Sequence, residues 1–172
     1  MVVGCAVSKE WSFDVKYFGK VRVSLSLIKK LGAYRQLKSG AVESGGVLIG
    51  KHLNSDGALL INQLTPPQRT DRQGRCLYYR SEVHNDLVRR IWKESNYHST
   101  YVGLWHTHPE LNPNFSPIDK EDWLNAISHS KYEGKRLFFI IVGQAHVRIW
   151  MGVKRQLLRN KIVLVGEYEF EN

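Results

Sequence analysis

At 172 residues, with 42% hydrophobic content and a mean hydropathy of −0.35, the chain has the composition of a globular protein able to bury a substantial core. Its longest apolar runs, such as Leu137 to Val142, fall far short of a membrane span; the N-terminus lacks the basic lead and long apolar core of a signal peptide; two cysteines make neither a disulfide framework nor a metal-type pair, and these features together favour the cytoplasm. A net charge of +9 and a pI near 9.6 fit an acidic protein partner better than specific nucleic-acid binding, because there is no basic run of five, no nucleic-acid motif and no regular interleaving of aromatic and basic residues.

Val2 to Gly19 is mixed, but Trp11 to Phe18 alternates well enough to predict a strand, and Val21 to Leu25 predicts a second. Ser26 precedes Leu27, Ile28, Leu31, Tyr34 and Leu37, apolar positions at helical spacing that predict a helix over about 26–38. Gly32 weakens that helix by about 1 kcal/mol relative to alanine, and Ser39-Gly40 ends it. Ala41 to His52 reads as a strand buried along most of its length, with Glu43 near its start and Gly45-Gly46 beside it. Glycines there suggest close approach of another backbone or of a substrate. Asn54 to Gly57 is a turn signal, Ala58 to Leu64 the returning strand, and Thr65-Pro66-Pro67 its break. Gln68 to Arg75 is polar and reads as a loop; its Arg69, Arg72 and Arg75 are either solvated surface or a docking patch for an acidic partner.

Leu77 to Arg80 predicts a short strand. Ser81 then fits the cap of a helix over about 82–96, with Val83, Leu87, Val88, Ile91 and Trp92 on its apolar face. His84 and His98 read as surface residues, and nothing around Cys76 argues for an activated thiol. Tyr101 to Trp105 reads as a buried strand, and residues 117–130 as a helix packed on the sheet through Trp123, Ala126 and Ile127. Leu137 to Val142 and Ala145 to Met151 form a strand pair joined at Gly143-Gln144; Leu157 to Arg159 is a turn or short helix; Lys161 to Phe170 is the last strand. His129 and His146 receive no role. With no repeat, low-complexity tract or linker, residues 1–172 read as one domain.

The chemistry concentrates between Leu104 and Trp123. His106 and His108 stand two apart at the end of a strand, so their rings project from one face while Trp105 and Thr107 take the other, and Pro109 stops the strand. Ser116 fits a helix N-cap, Pro117 the first helical position and Asp119 the N3 position of a near capping box. Two histidines, one aspartate and water in an open fourth position are the ligand count of a catalytic zinc site. Taken singly, each has a plainer reading: Ser116 and Asp119 as a helix cap, the histidines as strand-end residues, Glu43 as a solvated strand-end carboxylate. The combination favours a metal, since a helix start has no need of two same-face histidines just upstream.

His-Thr-His-Pro followed by Ser-x-x-Asp resembles the JAMM motif of the JAB/MPN metalloproteases, and Ala41 to Gly50 resembles the strand carrying the glutamate which that motif requires upstream. The resemblance spans at least Glu43 to Trp123, and the predicted elements on either side extend it over nearly the whole chain. It implies an α/β (α+β) fold, a single mixed, curved β-sheet flanked by about three helices, of the MPN/cytidine-deaminase-like kind. It also implies one zinc ion with a bound water held by His106, His108 and Asp119, with Glu43 as the acid/base that serves the water and the leaving amine and Ser116 as a donor to the oxyanion. Two imidazoles and a carboxylate suit zinc, although ligands alone do not fix the metal.

Members of this family cleave peptide or isopeptide bonds after the C-terminal tail of ubiquitin or ubiquitin-like proteins. The short chain is similar to the stand-alone bacterial members, some of which accompany ubiquitin-like conjugation machinery in anti-phage operons, including the cyclase-linked CBASS systems. The resemblance therefore implies a deconjugating protease acting on a ubiquitin-like protein or its conjugated target, with Gly45, Gly46 and residues 65–77 as candidates for lining the tail groove. Processing of sulfur-carrier precursors is the nearest alternative. A metal-free MPN scaffold is disfavoured by the complete ligand set, and a nucleic-acid-associated JAB-like protein by the lack of a readout motif.

Overall fold

The computed structural model describes residues 10–155 and 158–171, so Cys5 and Leu157 lie outside the described residues. In chain order the elements are β1 (Glu10–Val15), β2 (Gly19–Ser24), α1 (Leu25–Gly32), β3 (Gly45–His52), β4 (Leu59–Leu64), β5 (Arg72–Gly74), β6 (Leu77–Tyr79), α2 (Val83–Glu94), β7 (Thr100–Thr107), α3 (Pro117–His129), β8 (Arg136–Val142), β9 (His146–Val153) and β10 (Lys161–Glu169). Eight strands form one sheet in the order β1-β2-β4-β3-β7-β8-β9-β10. It is mixed: β2–β4 and β7–β8 pair in parallel and the other neighbours antiparallel. The sheet curves until its edge strands approach, with the Trp11 and Tyr168 rings 5.8 Å apart. This is the α+β fold, with a large curved mixed sheet and three helices among the described residues, that the resemblance implies.

Burial on both faces explains why the central strands read as continuous apolar runs. One face carries Leu27, Ile28 and Leu31 of α1 against Val21, Val23, Leu48, Ile61 and Trp105. The other packs Trp123, Ala126 and Ile127 of α3 against Val47, Leu104, Leu137, Phe139, Ile141 and Trp150. At full burial each Leu, Ile or Phe side chain contributes about 1.5–3 kcal/mol. Gly103 lets the parallel β7–β8 pair close: a Cβ there would lie 1.6 Å from the carbonyl oxygen of Phe138.

Several boundaries differ from the sequence expectations, each for a physical reason. α1 starts at Leu25, because the Ser24 hydroxyl rather than Ser26 accepts from Leu27 N, and it stops at Gly32 instead of running to 38. Gly32 lies beneath the Phe170 ring, and the chain leaves the helix through tight turns; Leu37, counted in the apolar stripe, is 60% exposed. The strand expected from Ala41 begins only at Gly45. The Gln68–Arg75 loop contains β5, which pairs with β6 in a separate two-stranded sheet too short and polar to show a period. Ser81 does not cap α2: the N-cap is Glu82, with no side-chain cap bond, and Ser81 N donates to Asp71 instead. Of the expected α2 apolar face, Val83 and Trp92 are exposed, and the buried residue is His84, which the sequence placed on the surface. No helix among the described residues is long and apolar enough to cross a membrane.

Candidate metal centre

β7 runs two residues further than Trp105, so His106 lies on the paired strand and His108 just past its end. Gly45 of β3 is the register partner of His106, and His108 N donates to the carbonyl of Val142 at 3.0 Å, extending the pairing beside β8. Period-2 alternation sends both imidazoles to the face that α3 covers. There Ser116, Pro117 and Asp119 build a complete capping box: Asp119 N donates to Ser116 Oγ (3.2 Å), and Ser116 N donates to Asp119 Oδ2 (2.6 Å). Trp123, one turn further on, stacks on Phe139 with ring centroids 4.6 Å apart and lies edge-on to His106, which fixes the helix on the sheet.

The four side chains converge. His106 Nε2 lies 3.0 Å from His108 Nε2 and 3.1 Å from Asp119 Oδ1, and His108 Nε2 lies 3.3 Å from Asp119 Oδ2. Glu43 Oε1 is 3.9 Å from His108 Nε2. Glu43, His106 and His108 are buried, and Asp119 is half-buried. The ligand atoms of His106, His108 and Asp119 all fall within 4.8 Å of one another. For bonds of about 2.1 Å, the ligand-to-ligand edge of a tetrahedral ion is roughly 3.4 Å, close to the separations found here. Two ring nitrogens and a carboxylate turned toward one point also leave more lone pairs than protons, so the arrangement favours a cation at its centre. The residues fit a metal ion of the zinc type.

Electrostatics separate the two carboxylates. Burial pushes the Glu43 carboxyl up to about 7, the charges of Asp119 and Glu110 add to the rise, and His108 opposes it. Burial would also raise Asp119, but hydrogen bonds from both imidazoles and from Ser116 N hold it well below the usual carboxylate range. Burial lowers His106; burial likewise opposes charging of His108, where Asp119 and Glu43 outweigh it and raise the pKa. One carboxylate is thus permanently ionised, and the other is poised to exchange a proton near neutrality.

Ser116 is half-buried, and its Oγ accepts from Asp119 N, which leaves the hydroxyl proton for another acceptor. Gly45 and Gly46 do not line an open groove: a Cβ on Gly45 would lie 2.4 Å from the Tyr78 ring, and one on Gly46 2.2 Å from the Thr65 carbonyl oxygen. The close approach expected at this pair is made by the protein's own side chain and backbone. Arg69, Arg72 and Arg75 are exposed.

Sequence reasoning passed over the residues that hold Glu43 in place. Glu43 N donates to the carbonyl of Gly74 (2.7 Å), and Gln73 Nε2 donates to the carbonyl of Glu43 (2.9 Å). Thr107, between the histidines on the opposite face, accepts from Ser44 N (3.0 Å) and donates to Gln36 Oε1 (3.0 Å). Gln36, 2% exposed, in turn donates to the carbonyls of Ala41 and Arg75. Alternation places Thr107 with Trp105 on the face opposite the histidines; nothing local marks Gln36 or Gln73.

Residues 28–153 match the family model described as prokaryotic homologs of the JAB domain. The chain is 32% identical, over 147 residues covering 85% of it and 90% of the relative, to a protein of Escherichia coli named CD-NTase/cGAS isopeptidase. A protein of the same name from Vibrio cholerae is 32% identical over 133 residues, 77% of this chain and 80% of that one. A solved structure, of a Desulfitobacterium hafniense protein in solution, superposes with a TM-score of 0.51 over 88% of each chain at 15% identity, a likeness of fold alone.

Proposed function

The chain belongs to the prokaryotic homologs of the JAB domain, and we propose that it is a zinc-dependent isopeptidase or peptidase that releases a ubiquitin-like modifier from a conjugated target protein. The observation that carries the proposal is the convergence of His106, His108 and Asp119 with Glu43 3.9 Å away. His106, His108 and Asp119 hold the metal, and Asp119 stays ionised to do so. A zinc ion bound by these three residues would supply Lewis acidity, lowering the pKa of water to about 7 and polarising a carbonyl. Glu43, whose carboxyl titrates near 7, takes a proton from the attacking water and delivers one to the leaving amine. The Ser116 hydroxyl donates to the oxyanion, and its position is fixed by the cap bond it already makes.

The relatives support the proposed substrate class. Proteins named CD-NTase/cGAS isopeptidase share about a third of this sequence across most of their length, which supports an isopeptide bond to a nucleotidyltransferase-type target and a place in an anti-phage conjugation system. The test uses purified wild type, Glu43→Gln and His106→Ala with a ubiquitin-like fusion ending in a flexible, glycine-containing tail. Wild type with zinc cleaves at the tail. Glu43→Gln retains zinc and slows by about 10²–10⁴-fold, the usual worth of a positioned proton acceptor. His106→Ala loses zinc. Equal cleavage by wild type and Glu43→Gln would show that the carboxylate has no part in the chemistry.

A further inference from the structure

A second cluster of titratable side chains lies beside the site. His84, in the first turn of α2, is 1% exposed, and its partner Asp71 has a side chain with no exposure. Thr65 Oγ1 is 2.6 Å from His84 Nδ1, and His84 Nε2 is 3.0 Å from Asp71 Oδ2. The same carboxylate accepts from the Tyr78 hydroxyl (2.8 Å), Gln68 N (2.7 Å) and Ser81 N (2.8 Å). Val47 N donates to Thr65 Oγ1 (2.8 Å), and Trp105 Nε1 donates to the Thr65 carbonyl (3.2 Å).

These bonds run as one continuous chain from β3 to the start of α2. Thr65 Oγ1 accepts from Val47 N and pairs with His84 Nδ1, while His84 Nε2 faces the Asp71 carboxylate, to which the Tyr78 hydroxyl donates. Four donors hold Asp71 well below the usual carboxylate range despite its burial. A threonine, a histidine and an aspartate in line resemble a nucleophile relay, but Thr65 is 0% exposed and no substrate carbonyl can reach it.

What the cluster touches suggests a different task. It joins α2, the β5–β6 hairpin and β3. The Tyr78 ring, steered by its hydroxyl, covers the bare backbone of Gly45, the residue opposite His106. The hairpin also holds the Glu43 backbone on both sides, through Gly74 and Gln73. Ser44 pairs with Thr107 on β7, and the other support of Glu43 is a hairpin of two three-residue strands, a size with little stability of its own. We infer that His84, Asp71 and Tyr78 are positioning residues which lock the β5–β6 hairpin onto β3 and so hold Glu43 at its working distance from the metal ligands. This rests on the assignment of Glu43 as the acid/base.

The test takes Tyr78→Phe, which keeps the ring over Gly45 and removes only its hydroxyl, and Asp71→Asn, which keeps the shape and removes the charge. Each is expected to lower kcat about 10- to 100-fold, the scale of a misplaced reacting group, with KM and zinc content unchanged. The double variant should fall no further than the worse single one. Exchange of the Glu43 amide proton, bonded to Gly74, should quicken in both, and that reading stands even on a substrate the wild type does not cleave. Unchanged kcat and unchanged exchange would overturn the proposal. So would a loss of kcat tracked in both variants by loss of zinc or of thermal stability, which would assign the network to folding. If Glu43→Gln is as active as wild type, the acid/base assignment fails; if it is inactive while Tyr78→Phe and Asp71→Asn retain full kcat, the positioning proposal alone fails.

Discussion

Glu43 illustrates how the chemistry of this site opposes its stability. The residue is 4% exposed, and burial, which disfavours the charged form, pushes its carboxyl up to about 7 from an ordinary 4.5. A raised folded pKa means that the folded state binds the proton more tightly than the unfolded one. The metal-free wild type therefore loses stability as pH climbs from about 4.5 to about 7, and the cost persists above that window. Glu43→Gln, neutral at every pH, is spared it. We expect metal-free Glu43→Gln to be more stable than metal-free wild type at about pH 8, by up to about 3 kcal/mol, and to match it at about pH 4. Asp119 has the opposite sign, with a depressed pKa that adds stability above the carboxylate range, but it is common to both proteins and cancels. Urea unfolding at the two pH values reads the difference directly. Equal midpoints at the higher pH would mean that water reaches Glu43 and that its burial carries no penalty. A gain in stability on losing the Glu43 charge is the pattern expected where function, not folding, placed the group.

At the scale of elements, α3 serves two purposes with one turn of helix. Ser116 and Asp119 satisfy each other's backbone N–H groups, and the same turn presents a carboxylate to the histidines and, in the proposed mechanism, a hydroxyl to the oxyanion. Ser116→Ala separates these roles. Loss of the cap should cost about 1 kcal/mol of stability, while loss of an oxyanion donor should lower kcat about 10²–10³-fold with zinc still bound. Ser116→Thr should keep both properties. If Ser116→Ala is destabilised but fully active, the hydroxyl is a cap and nothing more. This turn was legible in the sequence because caps, Pro at N1 and strand alternation are local rules, and Glu43 stood out beside its glycine pair. His84 and the β5–β6 hairpin were not. A histidine among polar neighbours at a helix start looks solvated until Thr65, Asp71 and Tyr78 fold around it. The end of α1 was hidden for a similar reason: Phe170, at the far end of the chain, occupies the space over Gly32.

For the molecule as a whole, the net charge of +9 is distributed unevenly with respect to the fold. Glu167 and Glu169 lie on β10, an outer strand, and Glu167 is engaged by Arg148. Asp71 and Asp119 are drawn inward by hydrogen bonds, and Asp122 is held by both of its oxygens to Arg80. On the hairpin that holds Glu43 and in the loop leading into it, by contrast, Arg72, Arg75 and Arg69 are exposed, and Arg72 stacks over the Tyr79 ring. A substrate carrying negative charge near its scissile tail would be drawn to this side, and long-range attraction acts on the encounter rather than on the chemical step. Raising ionic strength from about 0.02 M to about 0.5 M shortens the screening length severalfold, so kcat/KM for an acidic modifier fusion should fall about tenfold while kcat holds. A fusion of matched tail and neutral body should show a much shallower slope, and Arg69→Glu with Arg72→Glu should flatten the response to the acidic one. The surface arginines have no steering role if both fusions lose kcat/KM in parallel with salt, or if charge reversal leaves the slope of the acidic fusion unaltered. In the expected case the basic face selects substrates by how fast they arrive, and the buried carboxylates act only after they have docked.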